Sequence, residues 1–309
     1  MSSSDDAVAI GTTPVHTRPS LRSQGRSGQG WGRVSNRRGP LAVLGIYLGL
    51  GLAAIIMVLP FLFSFMTAFK SPRDFASHSP LAPPDPWTLD SFAAVLGGRI
   101  DFASAIWTTL AMVAVMVVAQ IGSSVMAAYA FARLSFPGRD IIFWIFLATM
   151  MLPSSVLVIP LYLMMAKAGM NNTFWGIVIP FMLASPYAVF LLRENFRSIP
   201  QELIDAARVD GAGHVRTLLQ VVLPISRPIL ATLTLITVVS QWNSFMWPRV
   251  IASQRPKVIT VATAALQSQY NANWTYVMSA TTIALVPLII LFITFQKQIV
   301  ASIVLTGLK

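Results

Sequence analysis

Hydrophobic and polar positions alternate on a long wavelength in this chain, with apolar runs of about twenty residues or more set between polar segments. Six such runs stand out, at 41–69, 102–132, 141–166, 172–192, 228–248 and 276–295. An α-helix needs about 20 apolar residues to cross a hydrocarbon layer ~30 Å thick, so each run reads as a membrane span. The fold class that follows is all-α, a polytopic membrane protein with six transmembrane helices. Pro60, Pro153, Pro160, Pro180 and Pro186 fall inside the runs. A helical bundle tolerates them because neighbouring helices re-satisfy the backbone carbonyls that proline frees. No internal repeat stands out.

The most informative polar segment lies between the fourth and fifth runs, at 194–227, with its centre at 198–224. Arg197, Glu202, Asp205, Arg208, Asp210 and Arg216 crowd into it, while the flanking runs are almost free of charge. Ser198 followed by Gln201 fits a capping-box spacing, and Pro200 suits the first turn of a helix. That helix is expected to end near Asp210, where Gly211 supplies an inexpensive left-handed stop. A second short helix carries Val215, Leu218, Leu219 and Val222 on one stripe and ends at Pro224. Leu203, Ile204, Ala206 and Ala207 form a small apolar surface. Two readings are open for the whole segment: an amphipathic connector lying on the headgroups, or a helix that docks in a partner's groove.

Composition narrows the class further. Only 11% of the 309 residues are charged and 55% are hydrophobic, against about 25% charged in soluble domains. This excludes a soluble binding module. The chain has no cysteine, which excludes disulfides and thiolate metal sites, and His16, His78 and His214 are scattered. The net charge of +11 does not indicate nucleic acid, because the basic residues flank apolar runs and six arginines sit in the first forty positions. Residues 1–39 are rich in Ser, Gly, Thr and Arg without apolar periodicity, and read as a disordered basic cytoplasmic tail ahead of a membrane domain at 40–309. With the amino terminus inside, fifteen of the 22 Lys and Arg residues fall on the cytoplasmic side, which favours that orientation and makes 194–227 cytoplasmic. The outer segments are then the Pro-rich 71–101, long enough to fold over the outer mouth, and 249–274.

At this point the charged loop acquires a resemblance. Asp205-Ala206-Ala207, three residues, Gly211, nine residues and Val221-Val222-Leu223-Pro224 resemble the signature of the permease subunits of ATP-binding-cassette importers. That signature has Glu where this chain has Asp205 and Ile where it has Val221. AAYAFARLSFPGR at 127–139, TMMLPSSVLVIPLY at 149–162 and QWNSFMWP at 241–248 are similar to the second permease of the maltose-type carbohydrate importers. The resemblance covers most of the chain after residue 40 and implies an ABC type I importer permease fold in a bacterial inner membrane, with both termini cytoplasmic. It also implies four kinds of partner: a second homologous permease, two ATPase subunits that bind ATP and magnesium, an extracytoplasmic sugar-binding protein, and a neutral oligosaccharide. It further implies that Glu202, Asp205, Ala206, Ala207, Asp210 and Gly211 couple transport to ATP hydrolysis. The end of the chain, 305–309, is similar to the family's tail near the ATPases, and the segment through Gln267, Gln269, Tyr270, Asn271 and Trp274 aligns with a loop that in the maltose type dips toward the binding protein.

Absences set the mechanism class. No Gly-x-x-x-x-Gly-Lys-Ser/Thr occurs, so another chain must hold the ATP, and no cofactor, metal or catalytic group is expected here. No ionisable residue lies deep in the spans, which disfavours proton coupling and a stand-alone secondary carrier. Polar uncharged residues do occur there: Gln120, Ser123 and Ser124 in the second run, and Ser240, Gln241 and Asn243 with Trp242 in the fifth. An aromatic face and amides suit a neutral polyol better than an anion such as glycerol phosphate. The same residues also serve as helix–helix contacts, and Trp242 and Trp247 as interfacial anchors.

Overall fold

The computed structural model describes residues 40–79, 81–98, 101–269 and 273–307, apart from the side chains of Pro40, Ala42, Gln269 and residues 297–307. The expected tail 1–39, Tyr270, Asn271 and the last two residues lie outside the described residues. The chain divides into two units at Ala53/Ala54. Of the first, the described part is helical from Pro40; the second holds everything below.

Fourteen helices follow in order among the described residues, and no strand accompanies them. They are α1 (Pro40–Ala68), α2 (Pro72–Ser77), α3 (Asp90–Gly97) and α4 (Phe102–Arg133). Next come α5 (Arg139–Met151), α6 (Ser154–Lys167), α7 (Phe174–Phe181) and α8 (Pro186–Ser198). Then follow α9 (Gln201–Val209), α10 (His214–Ile225), α11 (Arg227–Trp242), α12 (Met246–Ile251), α13 (Ile259–Gln269) and α14 (Trp274–Gly307). Within α1, α4 and α14, three stretches are long and apolar enough to cross a membrane singly; α5–α6, α7–α8 and α10–α11 are bent pairs, which brings the candidate spans to six.

Each bend has a local cause. Pro153 cannot continue α5, and α6 leaves at 101°. Pro180 and Pro186 bracket the break between α7 and α8, which are bent by 42°. At the third break α11 starts at Arg227 with Pro228 in its first turn, 83° from α10. Proline thus divides the third and fourth runs, which hydropathy alone reads as straight spans, and turns the chain where the charged loop meets the fifth.

Two buried clusters lie along α4, which serves as the spine. Phe102, Ala105, Met112 and Met116 belong to the first, with Ile177, Val178, Trp242, Trp247, Ile251, Ile259 and Leu266. Val125, Ala128 and Tyr129 belong to the second, with Phe143, Val189, Leu192, Phe196, Ile204, Leu218 and Val222. Between them α4 widens to a π-helical turn, Val117–Ile121, a feature that recurs at functional positions of helices.

The structure departs from the sequence expectations in three places. The fifth run, expected to reach 248, stops as α11 at Trp242; the chain breaks and turns into α12. The segment 249–274, expected as an external loop, contains α13, whose Val261, Ala262 and Leu266 are buried in the first cluster. Its amide at Ile259 donates to Thr109 Oγ1 at 2.8 Å, which fastens it to α4. Third, the capping box does not form: Ser198 ends α8 and its hydroxyl donates to Asn195 O, while α9 starts at Gln201 after Pro200.

Candidate functional site: a projecting loop and a broken span

Helix α9 is short because its sequence supplies one inward anchor. Ile204 is buried in the second cluster, whereas Glu202, Asp205, Ala206, Val209 and Asp210 are exposed and Ala207 is half-buried. Gly211 follows at φ +77°, a conformation that costs an L side chain energy. In α10, Leu218 and Val222 are buried, but Val215 and Leu219 are exposed, so the expected stripe is half satisfied within this chain. Val209 is 88% exposed and Val215 71%, two β-branched side chains facing outward around the Gly211 corner.

The loop is not free to swing: besides the packing of Ile204, Leu218 and Val222 on the second cluster, α4 ties it by hydrogen bonds from one side chain. The Arg133 guanidinium donates to the carbonyls of Phe196 and Ile199, at the carboxyl end of α8, and to Gln201 Oε1 at 2.7 Å. Gln201 Nε2 donates onward to Asp205 Oδ1 at 3.0 Å, which also accepts from Arg208 at 3.2 Å. A chain of hydrogen bonds therefore runs from the last residue of α4 to the acidic residue of the loop. The His214 ring meets Tyr129 of α4 edge-on, with centroids 6.5 Å apart. Arg193 of α8 is buried over the Phe143 ring at 4.0 Å and pairs with Glu194 and, at 3.5 Å, with Asp140 of α5.

The sequence assigns Arg133 no role and Gln201 only that of capping-box partner to Ser198. The signal was present in the AAYAFARLSFPGR stretch, but nothing in the linear chain indicates that Arg133 reaches residues more than sixty positions away.

The second set of residues converges on the break between α7 and α8. Gln120, on the π turn of α4, donates from Nε2 to Phe181 O at 3.0 Å. Ser124 is fully buried, and its Oγ accepts from the Ser185 amide at 3.0 Å. Both expected residues thus brace backbone groups that the broken helix leaves unpaired. Ser123 turns back on its own helix, donating to Ala119 O.

The residues of the fifth run divide. Trp242 is buried and its Nε1 donates to Ala284 O of α14 at 3.2 Å. Ser240 and Asn243 are exposed and Gln241 is half-buried at the end of α11, where the Asn243 amide donates to Val239 O. Trp247 is buried, its Nε1 shared between Gly176 O and Ile177 O at 3.2 Å each. Among the described residues no group of acidic, histidine or cysteine side chains is arranged to hold a metal ion.

Known proteins are similar to this chain. Residues 120–304 match the model of the family described as binding-protein-dependent transport system inner membrane component. The diacetylchitobiose uptake system permease protein NgcG of Streptomyces coelicolor is 31% identical over 258 residues, 81% of this chain and 83% of that protein. The sn-glycerol-3-phosphate transport system permease protein UgpE of Yersinia pestis is 31% identical over 88% of this chain and 98% of its own length. A solved structure of a bacterial ABC transporter that imports the acidic polysaccharide alginate superposes with a TM-score of 0.72 at 25% identity, over 82% of this chain and 96% of the matched chain.

Proposed function

The chain belongs to the family of binding-protein-dependent transport system inner membrane components, and on that premise we propose how it works as a permease subunit of a sugar ABC importer. It forms one wall of an alternating-access path and passes to that wall the movement of separate ATPase subunits. The observation that carries the reading is the loop at 198–224. Its acidic and small residues stand exposed around the Gly211 corner, and its base is tied to α4 through Arg133.

On this reading Glu202, Asp205, Ala206, Ala207, Asp210 and Gly211 face a groove of an ATPase subunit on the cytoplasmic side, and Val209 and Val215 are covered there. The chain itself catalyses nothing; ATP and magnesium belong to the two ATPases. A second, homologous permease closes the path, and an extracytoplasmic binding protein delivers cargo. The charge asymmetry of the sequence supports cytoplasmic termini.

A neutral saccharide is the cargo we favour. The polar side chains left exposed or half-buried around the α7–α8 break and at the end of α11, namely Gln120, Ser240, Gln241 and Asn243, are uncharged amides and a hydroxyl, while the buried Ser124 braces the break. Such groups pair with sugar hydroxyls and offer no counter-charge to a phosphate. The likeness to UgpE keeps glycerol phosphate as the second reading.

The deciding experiment measures ATP hydrolysis by this chain assembled in lipid with its partner permease, ATPases and binding protein. Stimulation by a neutral oligosaccharide and not by glycerol phosphate is expected. Stimulation by glycerol phosphate alone overturns the cargo class, and ATP-independent uptake without the partners overturns the importer reading.

A further inference from the structure

We infer that the unwound segment 182–185, together with the amide oxygen of Gln120, is a cargo-binding contact in which main-chain carbonyls accept hydrogen bonds from saccharide hydroxyls inside the membrane. This deepens the importer reading above and rests on it.

The depth of the segment comes from its partners on α4. Gln120 and Ser124 lie 13 and 9 residues before Arg133. At about 1.5 Å per residue that is roughly 14–20 Å along the helix, close to the middle of a hydrocarbon layer ~30 Å thick. At such a depth, non-helical backbone persists only where protein buries it or where it lines a water-filled space.

The segment is partly buried and partly not. Ser185 N–H is satisfied by Ser124, and Phe181 O by Gln120. The carbonyls of Met182, Leu183 and Ala184 accept no hydrogen bond from any described residue. Leu183 between them is 69% exposed. Gln120 spends its Nε2 on Phe181 O, and among the described residues nothing donates to its Oε1, so that oxygen remains an acceptor beside three others.

Acyl chains offer no donor, so this face is not a lipid contact. A row of acceptors without a cation selects a donor-rich, uncharged ligand, which is the chemistry of a polyol. An anionic cargo finds only repulsion from these oxygens. The π turn at Val117–Ile121 places Gln120 at the break, so the two irregular pieces of backbone form one site.

The chain has no cysteine, so Leu183→Cys introduces a unique thiol on this chain without prior engineering. The assembled transporter, with the other subunits made cysteine-free, is treated with a charged methanethiosulfonate, which reacts with thiols in water and not in lipid. The expected result is modification of Leu183→Cys, slowed at least tenfold by cargo-loaded binding protein. Trp144→Cys, on an exposed apolar face of α5, is the membrane-facing control. No modification of Leu183→Cys shows the segment covered by lipid or by the partner permease and overturns the proposal. Slowing by ATP and empty binding protein alone, with no further effect of cargo, also overturns it, since the segment is then a moving wall. ATP-driven transport that persists in either case leaves the importer reading standing; its absence in the unmodified complex removes that reading instead. In a second arm Gln120→Lys keeps a donor for Phe181 O and loses the acceptor. Cargo-stimulated transport is expected to fall about tenfold, whereas normal transport assigns Gln120 to bracing alone and sinks its part in the site.

Discussion

Truncating Arg133 cuts the polar link between the loop and the helix that we assign to the path, and the cost can be worked from its bonds. The guanidinium donates to Phe196 O and Ile199 O in a partly buried setting and to Gln201 Oε1 in an exposed one. Hydrogen bonds to a charged group contribute about 1.5–3 kcal/mol each when shielded, and an exposed one under about 1 kcal/mol. Phe196 O keeps only a 3.4 Å contact from Ile199 N–H, and the end of α8 loses its cap. Arg133→Ala is therefore expected to cost the junction about 3–5 kcal/mol, at the upper end of what single substitutions do. That does not unfold the chain, because Ile204, Leu218 and Val222 keep the loop packed on the second cluster. The consequence is mechanical: the loop still docks, but its displacement reaches α4 only through apolar packing on Val125, Ala128 and Tyr129, without the directional polar link. The assay is sugar transported per ATP hydrolysed in proteoliposomes, with membrane insertion and assembly as controls. We expect that ratio to fall several-fold while assembly persists. Gln201→Ala is expected to reproduce part of the loss and to be non-additive with Arg133→Ala, as befits members of one hydrogen-bond chain. A wild-type ratio in Arg133→Ala, or full additivity of the pair, refutes the linkage.

Two further outcomes follow from particular positions. Gly176→Ala places a Cβ 2.2 Å from Met170 O at a buried helix start and shifts the Trp247 bond, so a marked loss of folded protein in detergent thermal denaturation is expected, against no change in the solvent-facing Gly213→Ala. Asp205→Lys and Gly211→Pro are expected to insert and assemble normally while losing ATP-dependent transport, whereas Gly211→Ala, which faces open space, pays only about 1 kcal/mol for its positive φ and retains most transport; normal transport by both severe variants sinks the docking assignment.

The sequence by itself determined the class of this protein. Runs of apolar residues long enough to span a membrane, a charged loop whose glycine ends a short helix, and the absence of a phosphate-binding motif are properties of the linear chain. They depend on hydropathy, on backbone conformational preference and on composition, all of which are local. The exposure of Asp205, Ala206 and Asp210 belongs to the folded chain, in which Ile204 is the buried residue of α9. Tertiary structure decided what the polar residues inside the spans do. Ser124 and Trp242 are equally plain as letters, yet both are buried and bonded across the bundle, to Ser185 and to Ala284. The segment 249–274 is expected from the order of the spans as an external loop, and only packing on α4 makes its α13 part of the core. Arg133 reads as an ordinary flanking charge until the fold brings the ends of α8 and α9 to it. Long-range hydrogen bonds have no periodicity, so no window of sequence contains them; they exist once helices distant along the chain share an end.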